Sequence, residues 1–307
     1  MSKEFFLTTL IVLLLLSGCS NEADEAPSIE SESIDNWIHS APPSDNYLVA
    51  RFRVWVPENV TNVKAVLVLL GGFNTDGTQY LDFEEWRTYA EVEGLALCGV
   101  HFESDYNGPY YGVATEGSGA ILEEALSLIG ARNNVPEIGT LPLLMRGYSA
   151  GGIFSYYFSV FNTERVAGFV NIRGRSLQQT SSVNSEVPGI IFVGEKENIE
   201  RQEYLKNIVL QKRAEGGLWS YAVEPDANHF TETKKPDELT RTFFSSILSK
   251  RINSNTNELN VINETSGWLG NSIGTGVVPY EDYGGDSAAF FWLPDENVAQ
   301  AWLEFHK

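Results

Sequence analysis

The chain has 307 residues, 43% of them hydrophobic and 20% charged, a composition that excludes a wholly disordered protein. Its 41 Asp and Glu against 21 Lys and Arg give a formal net charge of −20, which argues against nucleic acid as a partner because phosphates would be repelled. Cys19 and Cys98 are the only cysteines, so a disulfide framework and a cysteine-based zinc site are both excluded.

Residues 1–18 have the pattern of a secretory signal peptide. A lysine near the start precedes an apolar stretch, residues 5–16, that is shorter than the roughly 20 residues of a membrane-spanning helix. The run Leu16-Ser17-Gly18-Cys19 resembles a bacterial lipobox. This resemblance implies that the Cys19 thiol is lipidated and that Cys19 becomes the mature N-terminus. An ordinary cleaved signal peptide with an incidental cysteine is the alternative.

The segment after Cys19 is polar and acidic up to about residue 35, and residues 19–45 are predicted to form a flexible tether. Its acidic residues Glu22, Asp24 and Glu25 resemble the surface-export signals of some Gram-negative lipoproteins. The expected location is therefore the cell envelope, at the bacterial outer membrane or the cell surface. The lipid anchor would be the only contact with the membrane.

Between residues 46 and 252, apolar runs typical of strands alternate with segments of helical periodicity. Strands are predicted at 47–57, 65–70, 95–102, 141–145, 166–172, 189–193 and 218–223, and helices at about 81–92, 118–129, 153–161, 202–214 and 237–251. Runs without polar residues suit strands buried on both faces of a parallel sheet. The alternation predicts one doubly wound α/β domain, with a mostly parallel sheet and helices on both faces.

The C-terminal segment, residues 253–307, breaks this alternation. It is rich in Gly, Asn and aromatic residues and ends in a short amphipathic helix near residues 296–306. It contains too few regular elements to fold alone, so it is predicted to be an extension packed on the α/β domain. The acidic residues Glu281, Asp282 and Asp286 lack the regular spacing of a calcium loop and are predicted to be solvated.

The pattern G-x-S-x-G occurs twice, at residues 147–151 and 270–274. A nucleophile elbow needs a buried strand before the serine and a helix after it, so that the tight turn lifts the hydroxyl to the edge of the sheet. Ser149 meets both conditions, whereas no apolar strand precedes Ser272. Ser149 is therefore the candidate nucleophile, and Ser272 is predicted to lie in a flexible loop.

This arrangement around Ser149 resembles the α/β-hydrolase superfamily, particularly bacterial secreted esterases and polyhydroxyalkanoate-depolymerase-like proteins. The resemblance covers about residues 47–251 and implies the chain order nucleophile, acid, base. The base is then His229, which directly follows the last predicted strand. The acid is then Glu197, at a position where the superfamily usually has Asp, and Glu195 remains an alternative.

An oxyanion hole is the fourth part that the resemblance implies. The run Leu70-Gly71-Gly72-Phe73-Asn74 is similar to the superfamily's H-G-F loop, with Gly71 in place of the His. By this match the backbone N–H groups of Phe73 and Ala150 would stabilise the oxyanion. A merely connecting Gly-rich turn is the alternative, and the missing His leaves open which amide joins that of Ala150.

The implied activity is hydrolysis of carboxylic esters through an acyl-enzyme, with a small-molecule or polymer-derived ester as substrate and with no metal or organic cofactor. Two alternatives stay open: a non-catalytic lipoprotein that binds glycan or a partner on the same scaffold, and a serine peptidase. The aromatic residues Tyr106, Tyr110 and Tyr111 follow the carboxyl end of a predicted strand. They either stack on a sugar or aromatic acyl group of the substrate or pack within the protein.

Overall fold

A computed structural model describes residues 37–108, 110–175, 177–178 and 182–307. The predicted signal peptide, the predicted lipidation site Cys19 and most of the predicted tether lie outside these ranges. Within them, no helix has both the length and the apolar character needed to span a membrane.

A mostly parallel sheet forms the centre of the described chain. Its strands are β1 (Ile38–Ala41), β2 (Val49–Trp55), β3 (Ala65–Leu70), β4 (Leu95–Glu103), β5 (Leu143–Tyr148), β6 (Val166–Ile172), β7 (Gly189–Gly194) and β8 (Trp219–Glu224). They lie in the order β1-β2-β4-β3-β5-β6-β7-β8. The β1–β2 and β2–β4 pairs are antiparallel, and all other neighbours are parallel. Because β5 to β8 run parallel to one another, the carboxyl ends of β5, β7 and β8 lie on the same side of the sheet.

Helices lie between these strands or follow them: α1 (Glu84–Glu93), α2 (Ser118–Arg132), α3 (Ala150–Phe161), α4 (Ile199–Ala214) and α5 (Lys234–Arg251). Every residue of β3, β6 and β7 is buried. Successive strand residues point to opposite faces, so burial of every residue means that both faces of the sheet are covered, here by the helices. The predicted doubly wound α/β architecture is confirmed. Cys98 on β4 is completely buried, and this burial raises the pKa of its thiol to about 12.

The C-terminal segment adds a second, antiparallel sheet of β9 (Trp268–Gly270), β10 (Val277–Pro279) and β11 (Phe291–Leu293), followed by α6 (Glu296–Phe305). The helix α6 packs against α5 and β8. Its buried Trp302 donates an indole N–H hydrogen bond of 2.9 Å to the carbonyl of Tyr221 on β8. The described residues from 37 onward form one compact unit.

The strand β1 corrects one predicted boundary. Ile38–Ala41 lies inside the segment 19–45 that the sequence assigns to the tether, yet it pairs with β2 from Ile38 opposite Arg53 to Ala41 opposite Ala50. The prediction of a flexible tether is therefore wrong for these four residues. A strand this short at the edge of a sheet has too little hydrophobic alternation to be recognised in a sequence.

Candidate active site

Ser149 lies in a sharp turn between β5 and α3. Its backbone has φ 53° and ψ −114°, a conformation that residues other than glycine rarely adopt. A side chain at either neighbouring glycine would clash with backbone: a Cβ on Gly147 would lie 1.9 Å from the Gly151 oxygen, and one on Gly151 would lie 2.5 Å from the Gly71 oxygen. The G-x-S-x-G pattern at 147–151 therefore forms the predicted nucleophile elbow.

The structure brings the three predicted catalytic side chains together. Ser149 Oγ lies 3.0 Å from His229 Nε2, and His229 Nδ1 lies 3.0 Å from Glu197 Oε1. His229 stands in the loop that follows β8, and Glu197 stands in the loop that follows β7. Parallel strands end on the same side of the sheet. Glu197, 32 residues before His229, and Ser149, 80 residues before it, therefore meet His229 in one hydrogen-bonded chain.

The Glu197 carboxylate is held from several sides. Its side chain is 2% exposed, Oε2 accepts a 3.1 Å hydrogen bond from the Gly194 N–H, and Oε1 lies 2.6 Å from the Arg201 guanidinium. Burial raises the pKa of Glu197, but the hydrogen bonds from His229 and Gly194 and the charge of Arg201 outweigh burial and hold the pKa below its ordinary value. The carboxylate is therefore ionised and accepts the Nδ1–H of His229.

The alternative acid, Glu195, points elsewhere. Its side chain accepts a 2.8 Å hydrogen bond from the Asp226 N–H and makes no hydrogen bond to His229. The structure therefore places Glu197, and not Glu195, beside the imidazole. The Gly194 N–H holds the second carboxylate oxygen of Glu197 while the first faces His229.

Three residues that sequence reasoning missed hold the histidine loop in place. The Tyr148 hydroxyl donates a 2.7 Å hydrogen bond to the His229 carbonyl. The guanidinium of Arg173, which is completely buried, donates to the carbonyls of His229 and Thr231. Arg201 donates to the carbonyl of Arg173 as well as to Glu197. The predicted helix begins only at residue 202, so no sequence pattern connected Arg201 with Glu197; the pairing appears because α4 begins at Ile199, directly after the loop that holds Glu197.

The predicted oxyanion loop lies against the start of α3. The N–H of Gly151 donates a 3.0 Å hydrogen bond to the carbonyl of Gly71, which ties the loop to the helix. Among the described residues, the N–H groups of Phe73 and Ala150 have no acceptor. Both amides are therefore free to donate to a ligand, as an oxyanion hole requires.

The predicted aromatic cluster divides into packed and exposed members. The ring of Phe73 contacts those of Tyr106, Tyr110 and Tyr111 at centroid distances of 6.0–6.1 Å. Tyr111 is buried, and its hydroxyl donates to the Gly72 carbonyl at 3.3 Å, so this ring supports the oxyanion loop from inside. Tyr106 is 89% exposed and offers its surface to solvent.

The second G-x-S-x-G sequence forms no elbow. Ser272 lies in the turn between β9 and β10, as predicted for a loop. The nearby His306 has both ring nitrogens occupied, because Nδ1 donates to the Trp302 carbonyl at 2.7 Å and Nε2 accepts from the Val223 N–H at 3.2 Å. Burial lowers the pKa of His306, which keeps its imidazole neutral in this structural role.

The buried His101 and the acidic residues at 281–286 form no part of this site. His101 is buried on β4, where Nε2 lies 2.9 Å from a Glu103 oxygen. Across the described ranges, no group of three or more His, Cys, Asp or Glu side chains is arranged to hold a metal ion, and this includes the acidic residues at 281–286.

Comparison with known proteins identifies the fold. No protein-family model matches the sequence, and no curated protein matches it. An S-formylglutathione hydrolase from Agrobacterium tumefaciens superposes with a TM-score of 0.50 and 14% identity, covering 69% of this chain and 94% of that one. The fluorophosphonate-binding serine hydrolase F of Staphylococcus aureus superposes with a TM-score of 0.47 and 14% identity, covering 69% and 97% of the two chains.

A thermostable esterase superposes with a TM-score of 0.46 and 15% identity over 62% of this chain, which spans about half of the esterase, 54% of its length. At such identities the likeness concerns the fold. The order of the strands, the elbow at Ser149 and the superposition on the Agrobacterium protein agree with one another. Together they show that the chain has the α/β-hydrolase fold.

Proposed function

We propose that this protein is a serine hydrolase that cleaves carboxylic esters through an acyl-enzyme. The observation that carries the proposal is the hydrogen-bonded chain from the Ser149 hydroxyl through His229 to the ionised Glu197 carboxylate. A serine hydroxyl is a poor nucleophile at neutral pH, and Nε2 of His229, 3.0 Å from the hydroxyl oxygen, is the base that activates it. A protein that only bound glycan or a partner would have no need for this complete arrangement.

The first half of the reaction forms the acyl-enzyme. Nε2 of His229 takes the hydroxyl proton as Ser149 Oγ attacks the ester carbonyl carbon. The negative charge moves to the carbonyl oxygen, where the N–H groups of Phe73 and Ala150 donate hydrogen bonds to it. When the C–O bond to the alcohol breaks, His229 gives the proton to the departing alkoxide. Glu197 stays ionised and stabilises the imidazolium that forms between these steps.

The second half releases the acid. A water molecule loses a proton to His229 and attacks the acyl carbon, and the resulting tetrahedral intermediate uses the same two amides. Collapse of that intermediate breaks the bond to Ser149 Oγ, which takes the proton back from His229. The carboxylic acid then leaves and the free enzyme is restored. No metal or organic cofactor takes part in this sequence.

The test compares the two serines of the two G-x-S-x-G sequences. We expect Ser149→Ala to lower kcat for a small model ester by at least about 10³-fold, because the nucleophile is lost. The matched control, Ser272→Ala, should keep wild-type turnover. A fluorophosphonate probe should label the wild type and the control but not Ser149→Ala. Hydrolysis at the wild-type rate by folded Ser149→Ala would overturn the proposal. If the wild type cleaved the amide analogue of the model ester faster than the ester itself, the protein would be a peptidase rather than an esterase.

We also propose that the enzyme is tethered to the cell envelope by a lipid on Cys19. This proposal rests on the lipobox-like run alone. Expression with an alkyne-tagged fatty acid should label the full-length protein and not Cys19→Ser, and the variant should move from the membrane fraction to the soluble fraction. Equal labelling and equal membrane association of the two proteins would exclude the anchor.

A further inference from the structure

Arg175 is an exposed arginine that lines a cleft of about 750 Å³ together with the proposed base, His229. Among the residues that the structure describes, Arg175 has no hydrogen-bond partner and no carboxylate within ion-pair distance, and this includes Glu200 in the same cleft. A free guanidinium therefore stands in the cleft that the proposed base also lines.

The residue before Arg175 lies against the proposed nucleophile. A Cβ on Gly174 would lie 2.7 Å from the carbonyl oxygen of Ser149. The Gly174 N–H donates a 2.7 Å hydrogen bond to Asn171 Oδ1, and the side-chain amide of Asn171 donates to the Gly174 carbonyl at 3.3 Å. Because both backbone groups of Gly174 are held in this way, the backbone of Arg175 begins at a fixed point next to Ser149.

Two exposed aromatic rings line the same cleft. The ring of Phe230 is 87% exposed and contacts the His229 imidazole edge-on at a centroid distance of 5.2 Å. Tyr204 on α4 is 47% exposed, and its hydroxyl donates to the carbonyl of Leu177, two residues after Arg175. One ring therefore adjoins the proposed base, and the other adjoins the segment that carries the free cation. Such surroundings suit a ligand with an apolar body and one ionised group.

The cleft beside His229 is lined by more cations than carboxylates, although the whole chain has a formal charge of −20. Its cations are Arg175, Lys196 and Arg201, and its carboxylates are Glu197 and Glu200. The neighbouring cleft beside the oxyanion loop has the opposite balance, with Asp76, Glu85, Glu232 and Asp237 against Lys234 and Arg241. An anionic group is therefore repelled less beside His229 than in the neighbouring cleft.

Arg175 is the cation of this cleft that remains available to a ligand. Arg201 already pairs with Glu197 at 2.6 Å, and Lys196 pairs with Asp226 at 2.9 Å. Burial and, less strongly, the charge of Arg175 lower the pKa of Arg201 against the opposing effect of Glu197, so the two guanidinium groups are close enough to repel each other. A carboxylate bound to Arg175 would relieve this repulsion.

The position of the base decides which half of an ester enters this cleft. In the proposed reaction Nε2 of His229 gives its proton to the departing alkoxide, so the alcohol half must lie next to His229. The carbonyl oxygen lies instead at the N–H groups of Phe73 and Ala150. The cleft that His229 and Arg175 line therefore receives the alcohol half rather than the acyl half.

We propose that the substrate is an ester whose alcohol half carries a carboxylate, and that Arg175 binds this carboxylate in the cleft beside His229. This inference rests on the proposed function and names its substrate class. The planar guanidinium can donate two parallel hydrogen bonds to a carboxylate. One guanidinium neutralises the single charge of a carboxylate, whereas a phosphate monoester, with a charge of about −1.5 to −2, would stay partly uncompensated in so acidic a chain.

The kinetic test compares para-acetoxybenzoate, whose alcohol half carries the carboxylate, with the neutral para-acetoxybenzamide. We expect Arg175→Gln to lower the ratio of kcat/KM for the acid to kcat/KM for the amide by about tenfold relative to the wild type, because a charge-assisted pair of hydrogen bonds is lost. Arg175→Lys should recover part of the ratio, since it keeps the charge but not the planar fork. The matched control Arg132→Gln removes the same charge from an exposed arginine in the last turn of α2 and should keep the wild-type ratio.

An unchanged ratio in Arg175→Gln would overturn the inference. A larger effect of Arg175→Gln on phenyl hydrogen succinate, whose acyl half carries the carboxylate, than on para-acetoxybenzoate would also overturn it. Calorimetric binding of para-acetoxybenzoate to Ser149→Ala and to Ser149→Ala/Arg175→Gln separates this inference from the proposed function. Tighter binding by Ser149→Ala without ester turnover by the wild type would refute the hydrolase and support the carboxylate site. Turnover of both esters by the wild type with equal binding by the two variants would support the hydrolase and refute the carboxylate site.

Discussion

Glu197 combines a role in the proposed chemistry with a role in stability. Its carboxylate is almost completely buried and accepts hydrogen bonds from His229 and the Gly194 N–H while it pairs with Arg201. Each of these partners favours the ionised form, and their sum outweighs the desolvation that burial causes. The same contacts therefore orient the imidazole and tie the loop after β7 to the loop after β8.

Replacing this carboxylate by an amide gives a prediction with a defined pH dependence. Glu197→Gln should lower kcat by about 10²- to 10⁴-fold, because the amide no longer stabilises the imidazolium. The folded-state pKa of Glu197 lies below its unfolded value, so its contribution to stability is present above the unfolded pKa and is lost as pH falls through the folded one.

The free energy of unfolding of Glu197→Gln should therefore fall below that of the wild type near neutral pH, and the difference should shrink on acidification. Urea unfolding of both proteins between about pH 7 and about pH 3 measures this convergence. The exposed neighbour provides the matched control, since Glu195→Gln should show little difference at any pH. A constant gap between Glu197→Gln and the wild type would contradict the prediction.

At the residue scale, sequence reasoning named the three side chains that the structure brings together and missed those that position them. Ser149 follows from a motif, whereas His229 and Glu197 follow from the chain order that the resemblance implies, which left Glu195 as an alternative acid. Arg173 and Tyr148 act through contacts with the His229 carbonyl, which depend on how two loops pack. No local pattern encodes such packing, so these two residues emerge only with the fold.

Among the elements, the loop between β8 and α5 has the most demanding task, because it must hold His229 within hydrogen-bond reach of Ser149. Arg173, directly after β6, is the main support of this loop. It is completely buried with φ 58°, donates to the carbonyls of His229 and Thr231, and pairs with the buried Glu224 on β8. The ion pair thus links β6, β8 and the histidine loop.

Removing the cation tests this support. Arg173→Met should lower the free energy of unfolding by about 3–5 kcal/mol, because Glu224 is left buried without its partner. The double variant Arg173→Met/Glu224→Gln should regain part of that loss in urea unfolding. Its kcat should nevertheless stay below that of the wild type with a smaller change in KM, because the hydrogen bonds to the His229 loop are still missing. A double variant as active as the wild type would show that the loop holds its position without Arg173.

Element lengths explain which parts of the fold could be predicted. The strands β3 and β6 are predicted with the bounds that they have, because a buried strand of six or seven mostly apolar residues stands out from its flanks. The strands β1, β9, β10 and β11 have three or four residues, too few for a period to be read. The helix α3 begins at Ala150 and not near residue 153, because the elbow imposes a helical turn on two glycines that have poor helix propensity.

At the scale of the whole molecule, residues 253–307 either unfold together with the α/β domain or unfold separately from it. The sequence separates them from the α/β domain at residue 252, whereas the contacts cross that boundary at several places. Trp302 and Trp292 are completely buried. Arg213 on α4 donates a 2.8 Å hydrogen bond to the Phe290 carbonyl and lies 2.7 Å from a Glu264 oxygen.

These contacts predict a single unfolding transition for the folded protein. Trp302→Ala should lower its stability by about 3–5 kcal/mol, since the variant loses a buried indole against β8 and leaves a cavity. The exposed control Ile273→Ala should change stability by no more than about 0.5 kcal/mol. Urea unfolding followed by tryptophan fluorescence and by loss of esterase activity should give coincident curves, because both probes then report on one transition. If activity persists after part of the tryptophan fluorescence has changed, and that early change is missing in Trp302→Phe, the segment unfolds separately, and residues 46–252 then hold the candidate active site without it.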